Sequence, residues 1–94
     1  MQYTVDFNGV KTYWEFYECL IKSFDFPQWC GKNPDAVWDL ITGGIQIPAI
    51  VYIKGINRLP KDLAEEGELI LKILDRAVQW YKGINYSFEV KIID

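Results

Sequence analysis

Residues 49–53, the segment AIVYI that follows Pro48, constrain the fold of this chain more than any other segment. Successive side chains of a strand point to opposite faces of its sheet, so this run would present apolar groups on both faces. Strands that are apolar on both faces are typical of the centre of a parallel sheet. The segment is therefore predicted to be a central strand of such a sheet.

Two flanking segments show the alternation of apolar and polar residues that is expected of half-exposed strands. Residues 3–7 alternate in this way and end at the turn signal Asn8-Gly9. Residues 88–92 alternate again, with Glu89 and Lys91 between apolar neighbours. These segments are predicted to be the first and the last strand of the sheet.

Helical patterns separate the predicted strands. Thr12 and Glu15 fit a capping box, which predicts a helix that begins there. A later helical region is predicted from Lys61, with a break near Gly67 and its main part over residues 68–81. The expected core stripe of that main part is Leu69, Ile70, Ile73, Leu74, Ala77 and Tyr81.

Strands that are separated by helices favour a parallel sheet with right-handed crossovers. The predicted fold class is therefore α/β, a small three-stranded parallel sheet packed with about four helices. A chain of 94 residues has room for one modest core, so we expect a single domain over residues 1–94. Trp14 and Trp80 each flank an apolar stripe and are predicted to lie at edges of the core.

A capped helix with two different faces is predicted within residues 26–44, FPQWCGKNPDAVWDLITGG. Asn33 offers a side-chain cap, Pro34 suits the first helical position, and Gly43-Gly44 ends the helix. On a helical wheel, one face is apolar and comprises Ala36, Val37, Leu40 and Ile41. The opposite face gathers, within about 100°, Asp35, Trp38, Asp39 and Thr42.

The opposite face of this helix is hard to explain by local structure alone. Asp35 complements the helix dipole in the first turn, but Asp39 lies further along, where an exposed Asp adds nothing to the helix. Trp38 has acidic neighbours, although it could instead cover the edge of the loop that holds Trp29. We interpret the face as a binding surface in which aromatic side chains exclude water and carboxylates meet Arg or Lys.

Charge and composition restrict the classes of partner. The net charge is −3 and the isoelectric point is about 4.8, which argues against a nucleic-acid binder and is compatible with a basic protein partner. Lys32 is the only cation in residues 24–46. No apolar run is long enough to span a bilayer, and the N-terminus lacks a signal-peptide pattern, so we expect a cytoplasmic protein with no membrane contact.

Catalysis is not expected. The chain has no histidine, which excludes Ser-His, Cys-His and His-metal sites, and it has no phosphate-binding glycine loop. Asp35 and Asp39 share one exposed face and lack the apolar pocket that separates the pKa values of a catalytic pair. Cys30 is interpreted as an incidental residue rather than a reactive thiol, and nothing requires it to pair with Cys19. We therefore predict no catalytic residue, metal or cofactor.

The stretch that contains the two-faced helix resembles the signature of the barstar family, bacterial inhibitors of barnase-type ribonucleases. The matching residues are Pro27, Trp29, Gly31, Asn33, Asp35, Ala36, Trp38, Asp39, Thr42 and Gly43. The order of strands and helices and the chain length agree with the family across the whole sequence. The resemblance thus implies a barstar-like fold.

The resemblance also implies a function. In the family, the motif helix and the loop before it plug the active site of a secreted, basic ribonuclease, and carboxylates stand in for RNA phosphates. Carried over, Asp39 is the principal phosphate mimic and Asp35 a second acid. The implied partner-binding residues are Trp29, Gly31, Asn33, Asp35, Trp38, Asp39, Thr42 and Gly43. We expect an intracellular inhibitor that is a monomer when free.

Several positions depart from the family pattern and leave the partner open. Lys32 stands where the best-known member has an acid, Cys30 replaces an aromatic residue, and Gly44 replaces a large aromatic residue. In that member, an acid of the last long helix contacts the partner. This acid aligns with either Asp75 or Arg76 of the present chain. The alternative function is therefore a barstar-like interaction module whose partner is not a ribonuclease. The isomer of the peptide bond before Pro48 also remains open.

Overall fold

The computed structural model describes residues 1–93, so Asp94, the last residue of the expected domain, lies outside the described residues. Strand β1 is Gln2–Asp6, helix α1 is Tyr13–Ser23 and helix α2 is Pro34–Gly43. Strand β2 is Ala49–Lys54, helix α3 is Ala64–Gly83 and strand β3 is Phe88–Ile92. Two short 3-10 turns, Ile56–Arg58 and Lys61–Leu63, connect β2 to α3.

The three strands form one parallel sheet, as predicted, and their order is β1-β2-β3. Strand β2 is central and places Val51 beside Tyr3 of β1 and beside Val90 of β3. Its alternate residues Ala49, Val51 and Ile53 are buried, whereas the residues between them are half-buried. One face of the sheet therefore carries the core, and the other is only partly covered, although the run is apolar on both faces.

Helix boundaries follow the predicted caps. The Thr12 side chain accepts a hydrogen bond from the Glu15 backbone N–H at 3.1 Å, and the Glu15 carboxylate accepts one from the Thr12 backbone N–H at 3.1 Å. This is the predicted capping box. Three α-helices and two 3-10 turns occupy the positions where about four helices were predicted. The peptide bond between Ile47 and Pro48 is cis.

The predicted break near Gly67 is wrong, because α3 runs without interruption through that position. Gly67 is buried, and a Cβ atom there would lie 3.0 Å from Cδ1 of Leu59 and 3.4 Å from Cδ1 of Ile56. The glycine thus permits close packing against the connection from β2, rather than ending the helix. No helix of residues 1–93 is long and apolar enough to cross a membrane.

Three residues that were predicted to lie in the core or at its edge are exposed. Leu69 is 42% exposed, whereas its neighbour Ile70, which was also predicted to lie in the core, is completely buried. Trp14, expected at the edge of the core, is 63% exposed, and the Lys32 ammonium lies 4.0 Å from the centre of its ring. Trp80 is 43% exposed. The apolar stripes of α1 and α3 are thus narrower than their sequences suggest.

Candidate functional site

The two-faced helix α2 begins and ends as its sequence predicts. The Asn33 side chain accepts a hydrogen bond from the Ala36 backbone N–H at 2.9 Å, and Pro34 occupies the first helical position. Gly44 follows the helix and donates its backbone N–H to the Leu40 carbonyl at 2.7 Å. These caps satisfy backbone groups that have no partner within the helix and fix its length.

The inner face of α2 is held by the core and by α3. Val37 and Ile41 are completely buried, and Ala36 and Leu40 pack against the core at its edge. The Tyr81 hydroxyl, from α3, donates a hydrogen bond of 2.6 Å to the Ile41 carbonyl. Because carbonyls in the last turn of a helix lack an intrahelical partner, this contact caps the end of α2 and anchors it to α3.

The outer face of α2 carries two carboxylates that are free of internal partners. Asp35 and Asp39 are both exposed. Within residues 1–93, neither carboxylate forms a salt bridge or accepts a hydrogen bond. They lie one helical turn apart, so their charges reinforce each other at this surface. The face can therefore meet a cationic group of another molecule without first breaking a bond of its own.

Trp38 is part of this face but is not an isolated exposed aromatic. Its side chain is half-buried and packs against the edge of the core. The guanidinium of Arg76 lies over its ring, with Cζ 4.6 Å from the ring centre. The sequence also suggested that Trp38 could cover the loop that holds Trp29. The Trp29 side chain is 79% exposed. The indole of Trp38 thus holds the positively charged side chain of Arg76 at the border of the face that carries the acids.

Arg76 and Asp75, neighbours on α3, face different parts of the molecule. Arg76 contacts Trp38 of α2, whereas Asp75 lines a groove between α3 and β3 together with Val78 and Phe88. Arg76 is therefore the one that borders the α2 face. Sequence reasoning left this choice open, because both residues lie between the buried Leu74 and Ala77.

The loop before α2 is shaped by Gly31. A Cβ atom at Gly31 would lie 2.9 Å from Nδ2 of Asn33 and 3.2 Å from Cβ of Ala36. A larger residue would therefore displace the side chain that caps α2. Trp29 projects from the same loop and is almost fully exposed at 79%. The loop thus offers a large apolar group next to the first turn of the helix.

Lys32 does not add a free positive charge to the α2 face. Its ammonium lies 3.2 Å from the Glu18 carboxylate and 4.0 Å from the centre of the Trp14 ring. Its carbonyl accepts a hydrogen bond of 2.8 Å from the Tyr13 hydroxyl. All three partners belong to α1. The positive charge of Lys32 is therefore largely balanced by the neighbouring Glu18 carboxylate.

Both cysteines are free thiols in shielded positions. Cys30 is buried, and burial raises the pKa of its thiol by more than nearby Lys32 lowers it. Burial also raises the pKa of Cys19, whose Sγ donates to the Asp6 carbonyl at 3.2 Å. These environments agree with the interpretation of Cys30 as an incidental residue. Within residues 1–93, no cluster of His, Cys, Asp and Glu could hold a metal ion.

The C-terminal end of α2 carries residues with small side chains or none. The Thr42 hydroxyl donates to the Trp38 carbonyl at 2.8 Å, so it is turned back to its own helix. Gly43 is exposed, and a Cβ atom there would meet nothing within 4 Å. A Cβ atom at Gly44 would instead lie 2.9 Å from the Leu40 carbonyl oxygen. The end of the helix therefore leaves room for another molecule to approach the backbone.

The structure brings most of the predicted site residues onto one helix and its preceding loop. Gly31 and Asn33 shape the start of α2, and Asp35 and Asp39 project from its outer face. Trp38 lies between that face and the core. Sequence reasoning placed Tyr81 in the core but missed its hydrogen bond to Ile41, because a bond between a side chain of α3 and a carbonyl of α2 leaves no local pattern.

Comparisons with known proteins show the family of this chain. A family model described as Barstar (barnase inhibitor) matches residues 1–93. A protein of Bacillus subtilis (strain 168) named "Putative ribonuclease inhibitor YrdF" is 27% identical over 88 residues, which cover 94% of this chain and 88% of that protein. The resemblance seen in the sequence is thereby confirmed. This chain belongs to the barstar family.

Proposed function

We propose that this protein is a cytoplasmic inhibitor of a secreted, basic ribonuclease of the barnase type. It would act by blocking the enzyme's active site and would itself need no catalytic residue, metal or cofactor. The observation that carries the proposal is the pair Asp35 and Asp39, exposed on one face of a capped helix and without internal partners in residues 1–93. Family membership and the name of the Bacillus subtilis relative support the same class of partner.

Carboxylates suit this role because they can replace phosphates. A ribonuclease binds the RNA backbone with cationic and hydrogen-bond-donating groups, and the same groups form strong charge-assisted bonds with Asp. In this mechanism, Asp39 occupies the principal phosphate position and Asp35 supplies a second charge. An acidic inhibitor and a basic enzyme also attract each other before contact, which accelerates association at low salt.

The remaining site residues hold or complete this face. Gly31 and Asn33 fix the start of α2, so the carboxylates are presented by a rigid helix rather than by a loop. Preorganisation of this kind strengthens binding, because less freedom is lost in the complex. We infer that Trp29 stacks on an enzyme side chain, while Trp38, Thr42 and Gly43 complete the contact surface.

The alternative is a barstar-like module whose partner is not a ribonuclease. The position of Arg76 favours it, because a guanidinium over Trp38 places a cation beside the acids that would face a basic enzyme. A partner with mixed charge would suit such a face. The two functions share a fold and differ in the target of α2, so an inhibition assay separates them.

The decisive experiment is a titration of a barnase-type ribonuclease with this protein. We expect inhibition by the unmutated protein and loss of inhibition by Asp39→Ala. The matched control is Asp62→Ala, which removes another exposed Asp in the turn before α3. Both variants should unfold at the same urea concentration as the parent, because neither residue is buried.

Two results would count against the proposal. Absence of inhibition by the unmutated protein at micromolar concentrations would favour the alternative module. Equal inhibition by Asp39→Ala and by the parent would refute phosphate mimicry, even if the protein does inhibit the enzyme.

A further inference from the structure

Strand β3 is an edge strand whose outer backbone groups lack a partner strand in residues 1–93. The Ala49 N–H donates to the Ser87 carbonyl at 3.1 Å, and the Ile93 N–H donates to the Ile53 carbonyl at 3.0 Å. Backbone groups alternate in direction along a strand, so residues 87, 89, 91 and 93 direct theirs to β2. Phe88, Val90 and Ile92 therefore direct their N–H and C=O groups outward.

The same edge is apolar on the side that faces α3. A groove there is lined by Leu71 and Val78 of α3 and by Phe88, Val90 and Ile92 of β3, with the acids Asp75 and Glu89 also in its lining. Ile92 is 54% exposed, although it lies on the face of the sheet that carries the core. Open backbone groups beside exposed apolar side chains form a template for another strand.

We propose that β3 pairs in antiparallel orientation with β3 of a second copy, about a two-fold axis that passes beside Val90. In this register, Val90 and Val90 of the second copy exchange both backbone hydrogen bonds, and Phe88 lies opposite Ile92 of the second copy. The two sheets then join into one six-stranded sheet. The two-fold arrangement places the same residues on both sides of the contact, as a closed dimer requires.

Charge complementarity selects both the occupant and the register. With the axis at Val90, Glu89 of each copy lies opposite Lys91 of the other, so the dimer contains two opposite-charge pairs. These are non-hydrogen-bonded positions, where opposed side chains lie closest. Shifting the pairing by one allowed step in either direction instead places Glu89 opposite Glu89 or Lys91 opposite Lys91, which is destabilising. A slip by a single residue is not allowed. It would place a residue whose backbone groups point outward opposite one whose groups are already bonded to β2.

The proposed dimer does not depend on the proposed function and leaves the α2 face accessible. Arg76 borders that face, whereas Asp75 lies in the groove beside β3, so α3 separates the two surfaces. A second copy on β3 therefore contacts a different side of the molecule. The proposal differs from the free monomer that the sequence led us to expect, and the experiment below distinguishes the two.

Sedimentation equilibrium from micromolar to millimolar protein tests the proposal through charge reversal. The parent should show a reversible monomer–dimer equilibrium. Glu89→Lys or Lys91→Glu alone creates two like-charge pairs and should raise the dimer dissociation constant roughly tenfold or more. The double variant Glu89→Lys/Lys91→Glu restores both pairs and should return the constant to near the parent value.

The matched control is Glu65→Lys, which makes the same charge change at an exposed position in the first turn of α3. It should leave the dissociation constant within about twofold of the parent, because a distant surface charge is largely screened. A parent that remains monomeric at millimolar concentration would overturn the proposal. So would a double variant that associates no better than the single variants, or a control that weakens association equally.

Discussion

Arg76 of α3 lies over the indole ring of Trp38 of α2, with its guanidinium carbon 4.6 Å from the ring centre. Planar guanidinium groups stack well on aromatic faces, and such contacts contribute about 0.5–1 kcal/mol at exposed sites. The pair joins the two helices at the border of the surface that carries Asp35 and Asp39. It thus places a positive charge at the border of an acidic surface. This charge would weaken the attraction of that surface to a basic partner.

The Arg76→Glu variant should associate faster with a basic ribonuclease. Removing a positive charge beside Asp39 and adding a negative one strengthens the local field, so we expect a roughly three- to tenfold higher association rate at low salt. Stopped-flow measurements at several salt concentrations would show the difference shrinking as salt screens it. The control is Lys61→Glu, which makes the same change of net charge in the turn before α3. Equal rates for the two variants would contradict a special role of position 76.

Tyr81→Phe should destabilise the protein. The Tyr81 side chain is buried, and its hydroxyl donates to the Ile41 carbonyl, which would be left without a partner. We expect a loss of about 1–2 kcal/mol in the free energy of unfolding, measured by urea denaturation. Tyr13→Phe is the matched control, because it removes the same atom from an exposed bond to the Lys32 carbonyl. A loss for Tyr81→Phe that does not exceed that of the control would refute the anchoring role.

Local signals explain why most of the fold was predictable. The capping box of Thr12 and Glu15 and the cap at Asn33 depend on residues three apart, which a sequence displays directly. The apolar segment after Pro48 identified the central strand. Its residues are buried on one face and half-buried on the other, and both environments favour apolar residues. The parallel direction of the strands then followed from the alternation of strands and helices.

The failures have a common physical cause, because each depends on contacts between distant segments. Gly67 resembles a helix break in isolation, but Leu59 and Ile56 pack closely on it, so that a larger residue there would have to displace them. Intrinsic propensity is a weak guide where tertiary packing acts. The stacking of Arg76 on Trp38 joins residues far apart in the chain, so no local pattern announces it.

Glu15→Gln should flatten the dependence of stability on acidic pH. Hydrogen bonds from the Lys11 and Thr12 backbone N–H groups hold the pKa of the Glu15 carboxyl below its ordinary value of 4.5. A lowered pKa contributes stability that is present above the ordinary value and is lost as pH falls through the folded value. Gln still accepts these bonds but does not titrate, so its variant should lose less stability between neutral pH and pH below 4.5.

Urea denaturation at a series of pH values would measure this effect. The control is Glu68→Gln, which removes an exposed carboxylate that accepts no hydrogen bond within residues 1–93. Its pH dependence should stay close to that of the parent. Asp6 retains a lowered pKa through its bond from the Asn8 backbone, so some acid sensitivity should persist in every variant. Identical profiles for Glu15→Gln and the parent would be incompatible with the proposed linkage.

The two thiols should alkylate slowly in the folded protein, because only the thiolate is a strong nucleophile. Burial raises the pKa of Cys19 and of Cys30 above the ordinary value of 9.0, and the nearby Lys32 does not reverse this for Cys30. In single-cysteine variants, Cys19→Ser and Cys30→Ser, the rate of reaction with iodoacetamide should therefore still be rising at pH 9. The same variants unfolded in urea should react faster and approach a plateau at lower pH. A plateau below pH 9 in the folded Cys19→Ser variant would show instead that Cys30 is an activated thiol beside Lys32.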